Sequence, residues 1–160
     1  MNPSATAAPT VLPGRGLYLS FSLAGDEYAV DILGVREIRE ICPITPLPQS
    51  PRHVRGVMNL RGAVVPVIDL RSALGLEETE YNKFTVIVVL SVHDRTIGFV
   101  VDGVSDVLSL DESAIERSLD LGARVDSSFV SGIGRTQERF VVLLDVERIV
   151  ASDIPGGSIA

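Results

Sequence analysis

The chain has 160 residues, a net charge of -7 and a single cysteine. That length buries enough apolar surface to fold without disulfides or metal, as one compact domain or as two small barrels sharing a core. Nucleic acid is a poor partner, because the 14 basic residues are spread along the chain and three Tyr, five Phe and no Trp leave little for base stacking.

Residues 1–15 are rich in small residues and proline and carry no basic, apolar leader. They read as a flexible tail, and with Cys42 unable to pair within the chain they favour the reducing cytosol. From 17 to 23 the sequence alternates, with Leu17, Leu19, Phe21 and Leu23 on one face, and Tyr28, Val30 and Ile32 resume the period after a turn at 24–27. A hairpin is expected. Residues 31–36 suit one helical turn capped by Asp31, leading into a strand at 37–41. The prolines at 43, 46, 48 and 51 then predict an extended connector. It is either a crossover between sheets or a docking surface that uses Ile44 and Leu47.

Between Val54 and Arg71 two β-prone runs flank Leu60, Arg61 and Gly62. Gly62 supplies the freedom a turn needs, Pro66 belongs at an edge, a bulge or a non-bonded position, and Asp69 caps a short helix over 71–74 that Gly75 stops. Arg61 is left at the hairpin tip, either as a solvated loop residue or as part of a recognition surface. After a polar loop at 77–82, residues 83–92 and 95–101 form a hairpin around His93 and Asp94. Asp102 and Gly103, the preferred pair for a tight turn, lead into a third consecutive strand from Val104. Residues 111–128 read as a helical turn and a loop. The segment 132–150 then repeats the logic of 56–74, aligning Asp145 with Asp69, which hints at two similar barrels. Residues 152–160 look frayed, and apolar runs such as 86–90 are far too short to span a bilayer.

Motifs for chemistry are missing. His53 and His93 have no thiol or histidine partner at metal-ligand spacing, and there is no GxSxG elbow or phosphate loop. Asp26, Asp69, Asp102 and Asp145 fall at turns and caps, where local backbone bonding accounts for them. No catalytic residue, metal site or cofactor is expected.

Four segments carry a resemblance: EYAVDILGVREIRE at 27–40, GVMNLRGAVVPVIDLR at 56–71, GFVVDGVSDVL at 98–108 and LLDVERIV at 143–150. In this order they resemble the CheW-like domain of bacterial chemotaxis coupling proteins, over residues 16–150. The resemblance implies a mainly β chain whose residues 16–151 form two intertwined five-stranded SH3-like β-barrels with a few short helices. It implies a non-catalytic cytoplasmic adaptor. The expected partners are the regulatory domain of the histidine kinase CheA and the cytoplasmic tips of methyl-accepting chemoreceptors, with no direct membrane insertion. A stand-alone coupling protein fits best, since no phosphotransfer, ATP-binding or receiver segment is seen.

By the same resemblance, Leu19, Val30, Leu33, Val35, Val104 and Val107 line a receptor-binding groove between the barrels, although each reads equally well as ordinary core. Glu37 and Arg61 match positions of an acid and a base near the partner surfaces, with a mutual ion pair as one arrangement. Gly56, Asn59 and Gly62 belong to the kinase-coupling region, Gly56 being equally readable as a bulge glycine. A small peptide- or ligand-binding β-barrel unrelated to chemotaxis, or a small hydrolase with converging Ser, Asp and His, are the other classes.

Overall fold

Three hairpins form on tight turns. β1 (Leu17–Leu23) and β2 (Asp26–Asp31) turn through Ala24 and Gly25, β4 (Val54–Leu60) and β5 (Ala63–Asp69) through Arg61 and Gly62, and β6 (Val86–Val92) and β7 (Arg95–Val101) through His93 and Asp94. Both residues of each pair have positive φ, the two-residue turn whose twist matches that of the strands it joins. The computed structural model describes residues 16–50, 53–117, 127–136 and 139–153. The expected tail at 1–15 lies outside them, as does 154–160.

The remaining strands are β3 (Val35–Glu40), β8 (Gly103–Ser109), the two-residue β9 (Ile115–Glu116), β10 (Val130–Arg135) and β11 (Phe140–Leu144). One sheet runs β8-β1-β2-β11-β10-β9 and the other β3-β6-β7-β5-β4. The expected two five-stranded barrels are therefore present, the first with β9 added at its edge. They are intertwined, because β3 to β7 of the second barrel lie in the chain between β2 and β8 of the first. Each barrel has one parallel pair, β11 with β2 and β5 with β7, and in each the parallel strand leads into a helix. These helices are α1 (Leu70–Ala73) and α2 (Val146–Asp153). α2 continues to Asp153, and the rest of the expected C-terminal tail lies outside the described residues.

Two other expectations are corrected. Asp102 and Gly103 do not make a hairpin, because β7 and β8 belong to different sheets; Asp102 is a crossover between barrels. The proline connector, conversely, does not cross between sheets, since it joins β3 and β4, the two edges of one sheet. Thr45 exchanges both backbone hydrogen bonds with Val57 there. That leaves Pro66, which faces Val57 across the ladder, in a non-hydrogen-bonded pair where its missing N–H costs nothing.

The barrels are copies of one pattern. Residues 17–40 correspond one for one with 86–109: Leu19 pairs Val30 and Phe21 pairs Tyr28, just as Val88 pairs Phe99 and Leu90 pairs Ile97. Residues 54–74 correspond with 130–150, and both β4 and β10 shift register beside a glycine, Gly56 and Gly132. Each half of the chain thus gives its first hairpin to the other half's barrel. Each barrel has its own filling: Met58, Leu60, Val65, Val67, Ile87, Val89 and Val100 in the second, and Ala29, Leu110, Val141 and Leu143 in the first.

The largest apolar cluster lies between them. It joins Leu19, Phe21, Tyr28 and Val30 of the first barrel to their counterparts Val88, Leu90, Ile97 and Phe99 of the second. The same patch on both sides makes an isologous contact, the signature of a two-fold relation. Each Leu, Ile or Phe enclosed there stabilises by about 1.5–3 kcal/mol, so packing, with polar contacts secondary, holds the barrels together.

Candidate functional site

β8 is an edge strand. Its Val107 faces Leu19 and its Val104 faces Phe21 across the ladder, and paired residues share a sheet face, here the one that lines the shared core. With no strand beyond β8 among the described residues, Val104 and Val107 stay 37% and 47% exposed. β3 is the equivalent edge of the second barrel. Its Val35 faces Leu90 and packs, partly buried, against the same core. Before it comes a single 3-10 turn at Ile32–Gly34, capped as expected by Asp31, whose carboxylate accepts the Leu33 N–H at 2.9 Å. This cap projects Leu33, which is 62% exposed.

Four of the six expected groove residues, Leu33, Val35, Val104 and Val107, therefore border the shared core with part of their surface open. Leu19 and Val30 do not. They are enclosed at 4% and 1% exposure, because the seam between the barrels is filled and not open along its length. Both are corrected to core residues that support the rim from beneath. Beside Leu33 a cleft of about 520 Å³ opens between the barrels. Its basic side chains are already engaged, the His93 ring beside Glu147 at 3.4 Å and Arg117 with Glu112 at 2.7 Å.

Glu37 and Arg61 form the ion pair that was one expected arrangement. The Arg61 guanidinium donates to the Glu37 carboxylate, which also accepts from Arg39 at 3.3 Å. These hydrogen bonds, Arg61 first, hold the Glu37 carboxyl below its ordinary range, and Glu37 in turn raises Arg61. Since β3 and β4 are opposite edges of one sheet, the pair spans the barrel's opening at the hairpin tip. Asn59 accepts the Gly62 N–H at 2.8 Å and so shapes the turn that aims Arg61.

Gly56 has a different duty from the expected contact surface. It is buried at the β4 register shift with φ +148, and a Cβ there would lie 2.1 Å from the Thr45 carbonyl oxygen. It is a bulge glycine under the connector, the second of the two readings, and what the structure shows of it is backbone geometry. Gly62, at φ +89, likewise contributes backbone geometry.

Sequence reasoning missed several residues. Val64, next to the Arg61 turn, is 74% exposed, and its counterpart Phe140 at the start of β11 is 66% exposed. Ile38 on β3 was read only as part of a strand. Asp69 does more than cap α1: its nearly buried carboxylate also accepts two bonds from Arg55, at 2.7 and 3.0 Å, and one from the Tyr81 hydroxyl. Asp102 accepts two bonds from Arg71, at 2.6 and 3.0 Å, and one from the Ala24 N–H at 2.8 Å. Partial burial pushes the Asp102 carboxyl up, but Arg71 and the Ala24 N–H hold it below its ordinary range. The signal for such long-range partners was absent from the local sequence.

Among the described residues no three His, Cys, Asp or Glu side chains gather as a metal site, and no helix is long and apolar enough to cross a membrane. The arrangement offers shaped apolar edges and a charged hairpin tip, which suit protein contacts. Comparison with known proteins agrees in kind. The chain is 39% identical over 136 residues to the chemotaxis protein CheW of Klebsiella aerogenes, covering 85% of this chain and 82% of that protein. It is 36% identical over 140 residues to the chemotaxis protein CheW of Rhizobium meliloti, covering 88% and 90%. The crystal structure of the scaffolding protein TtCheW from Thermoanaerobacter tengcongensis superposes with a TM-score of 0.77 at 30% identity, covering 84% of this chain and 86% of that one. The model of the CheW-like domain matches residues 17–153, from the first strand to the end of α2, and the chain belongs to that family.

Proposed function

We propose that this protein is a non-catalytic adaptor of bacterial chemotaxis, working in the cytoplasm and reaching the membrane only through its partners. One face takes the cytoplasmic tip of a methyl-accepting chemoreceptor and another the regulatory domain of the histidine kinase CheA. The observation that carries this reading is the rim of the shared core, where Leu33 on the turn before β3, Val35 on β3 and Val104 and Val107 on β8 keep apolar surface open beside one edge strand of each sheet. A stable apolar rim on a filled core is a docking surface by its chemistry. The kinase-coupling surface is placed at the β4–β5 tip, where Arg61, braced by Glu37 and Asn59, stands beside the exposed Val64.

Coupling then follows from geometry. Two faces on one rigid body, each of moderate affinity, make the second contact at high effective concentration, and receptor occupancy and kinase activity become linked without chemistry in the adaptor. Reconstitution tests this. Kinase, a soluble receptor-tip fragment and this protein are combined, and autophosphorylation is measured with each component left out in turn. The expected result is strong activation only when all three are present; full activation without this protein overturns the reading.

A further inference from the structure

The loop that leaves α1 folds back over the start of that helix. Gly75, at φ +79, turns the chain, and Leu76, whose N–H donates to the Arg71 carbonyl, packs partly buried against the shared core. Arg71 then donates to the Glu77 carbonyl at 2.7 Å, and the Tyr81 hydroxyl reaches Asp69 at 3.3 Å. Beneath this loop a space of about 70 Å³ remains, floored by Asp69, Arg71, Val100 and Asp102. In the other copy of the pattern the same four places are held by Asp145, Glu147, Asp31 and Leu33, and all four line the cleft of about 520 Å³ beside α2. One position in the repeat is thus a covered floor in one half and a cleft in the other.

We infer that the cleft is the seat of the chain's own residues 154–160, which leave α2 as the covering loop leaves α1. The reach suffices. α2 spans Val146–Asp153, so its end lies about 10 Å from the first turn that lines the cleft, while seven extended residues cover about 23 Å. Pro155 cannot continue a helix, and Gly156-Gly157 is a signal for chain reversal. The chemistry also matches. The covering loop meets two arginines, with Glu78 on Arg55 at 2.8 Å and the Glu77 carbonyl on Arg71. Ser131 and Glu147 take those two places in the cleft, and residues 154–160 carry no charge. What they offer is Ile154 and Ile159, apolar side chains for a cleft lined by Leu33, Val92, Leu144 and Val146.

The test uses the full chain with Cys42→Ser, which removes its only native thiol, and a nitroxide on Ser158→Cys. Amide relaxation is read by NMR. Leu33, Gly34 and Ser91, which line the cleft from elements other than α2, should relax at least twice as fast as with the label reduced. Ile159→Asp in the labelled chain should remove most of that gain, because a carboxylate is poorly placed among apolar side chains. No gain, or a gain that Ile159→Asp leaves unchanged and that tethering alone explains, would overturn the seat. Without a label, the amide shifts of the same three residues should differ between the chain through Ala160 and one ending at Asp153, with Ile159→Asp resembling the shorter chain. Identical shifts in the two would also overturn it and leave the cleft to another molecule.

Discussion

The two copies of the hairpin-and-helix module share a backbone and differ in what surrounds it. In both, the backbone N–H of the capping aspartate donates to the residue before the module's first strand, Asp69 to His53 and Asp145 to Phe129. In both, a carboxylate caps the helix that follows. Yet Asp69 is buried among Arg55, Tyr81 and the cap, while the half-buried Asp145 pairs with Arg148 at 3.5 Å. The crossovers differ more sharply: where one carries Asp102, clamped by Arg71, the other carries the projecting Leu33. The two copies share what the ladders and caps require and differ in what faces outward at the crossovers, one carrying an ionic clamp and the other an exposed leucine.

The bulge glycines give the sharpest way to break this comparison. Gly56→Ala meets both positive φ and the Thr45 carbonyl and should lose about 3 kcal/mol or more in urea unfolding. Gly132→Ala, whose nearest neighbours stand at 2.9 Å, should lose about 1 kcal/mol. Equal losses would show that the connector yields. Next come the capping aspartates. Asp69→Ala removes the cap together with the nearly buried acceptor of Arg55 and Tyr81, leaving Arg55 only its exposed partner Glu78, for an expected loss of about 2–3 kcal/mol, whereas Asp145→Ala forfeits an exposed cap worth about 1 kcal/mol. Matching values would mean that burial of Asp69 adds nothing.

The crossover makes a pH prediction. Because the folded Asp102 carboxyl titrates below its ordinary range, the unfolded chain takes up that proton first as pH falls. The stability contributed by Asp102 is full above the ordinary carboxylate pKa of about 4 and fades as pH drops through the lower folded value. Asp102→Asn should thus be less stable than wild type at pH 7 by chemical unfolding, with the gap closing in acid. A gap that does not depend on pH would assign the effect to packing. Smallest in stability is the Glu37 pair. Glu37→Ala and Arg61→Ala should leave the melting temperature nearly unchanged, as exposed ion pairs contribute little, while impairing kinase activation. Asp106→Ala, the counterpart of Glu37 on β8, should activate normally. Wild-type activation by both Glu37→Ala and Arg61→Ala would remove the hairpin tip from the coupling surface.

Much of the candidate site was readable because its residues follow local rules. The Arg61 turn, the Asp31 and Asp69 caps and the alternation of β1 all depend on neighbours in sequence, and each formed as expected. The groove was read less well. Alternation places Leu19 and Val30 on an apolar face, but the same rule applies to strands in the middle of a sheet and at its edge, and only the edge leaves surface open. Asp102 was misread for a related reason: its dipeptide with Gly103 favours a turn, and the choice between a turn and a crossover depends on which sheet the next strand joins.

The longer repeat was also hidden. Between 17–40 and 86–109 only Ser22, Gly34 and Val35 recur unchanged, as Ser91, Gly103 and Val104, because burial conserves apolar character and not identity. By itself the amino-acid order determined the strands, the turns, the caps and the family, since these rest on short-range sterics and hydrogen bonds and on motifs in series. The exchange of hairpins between barrels, the filled seam and the apolar surface left open at the edge strands were decided by tertiary packing, where equivalent faces met and distance along the chain ceased to matter.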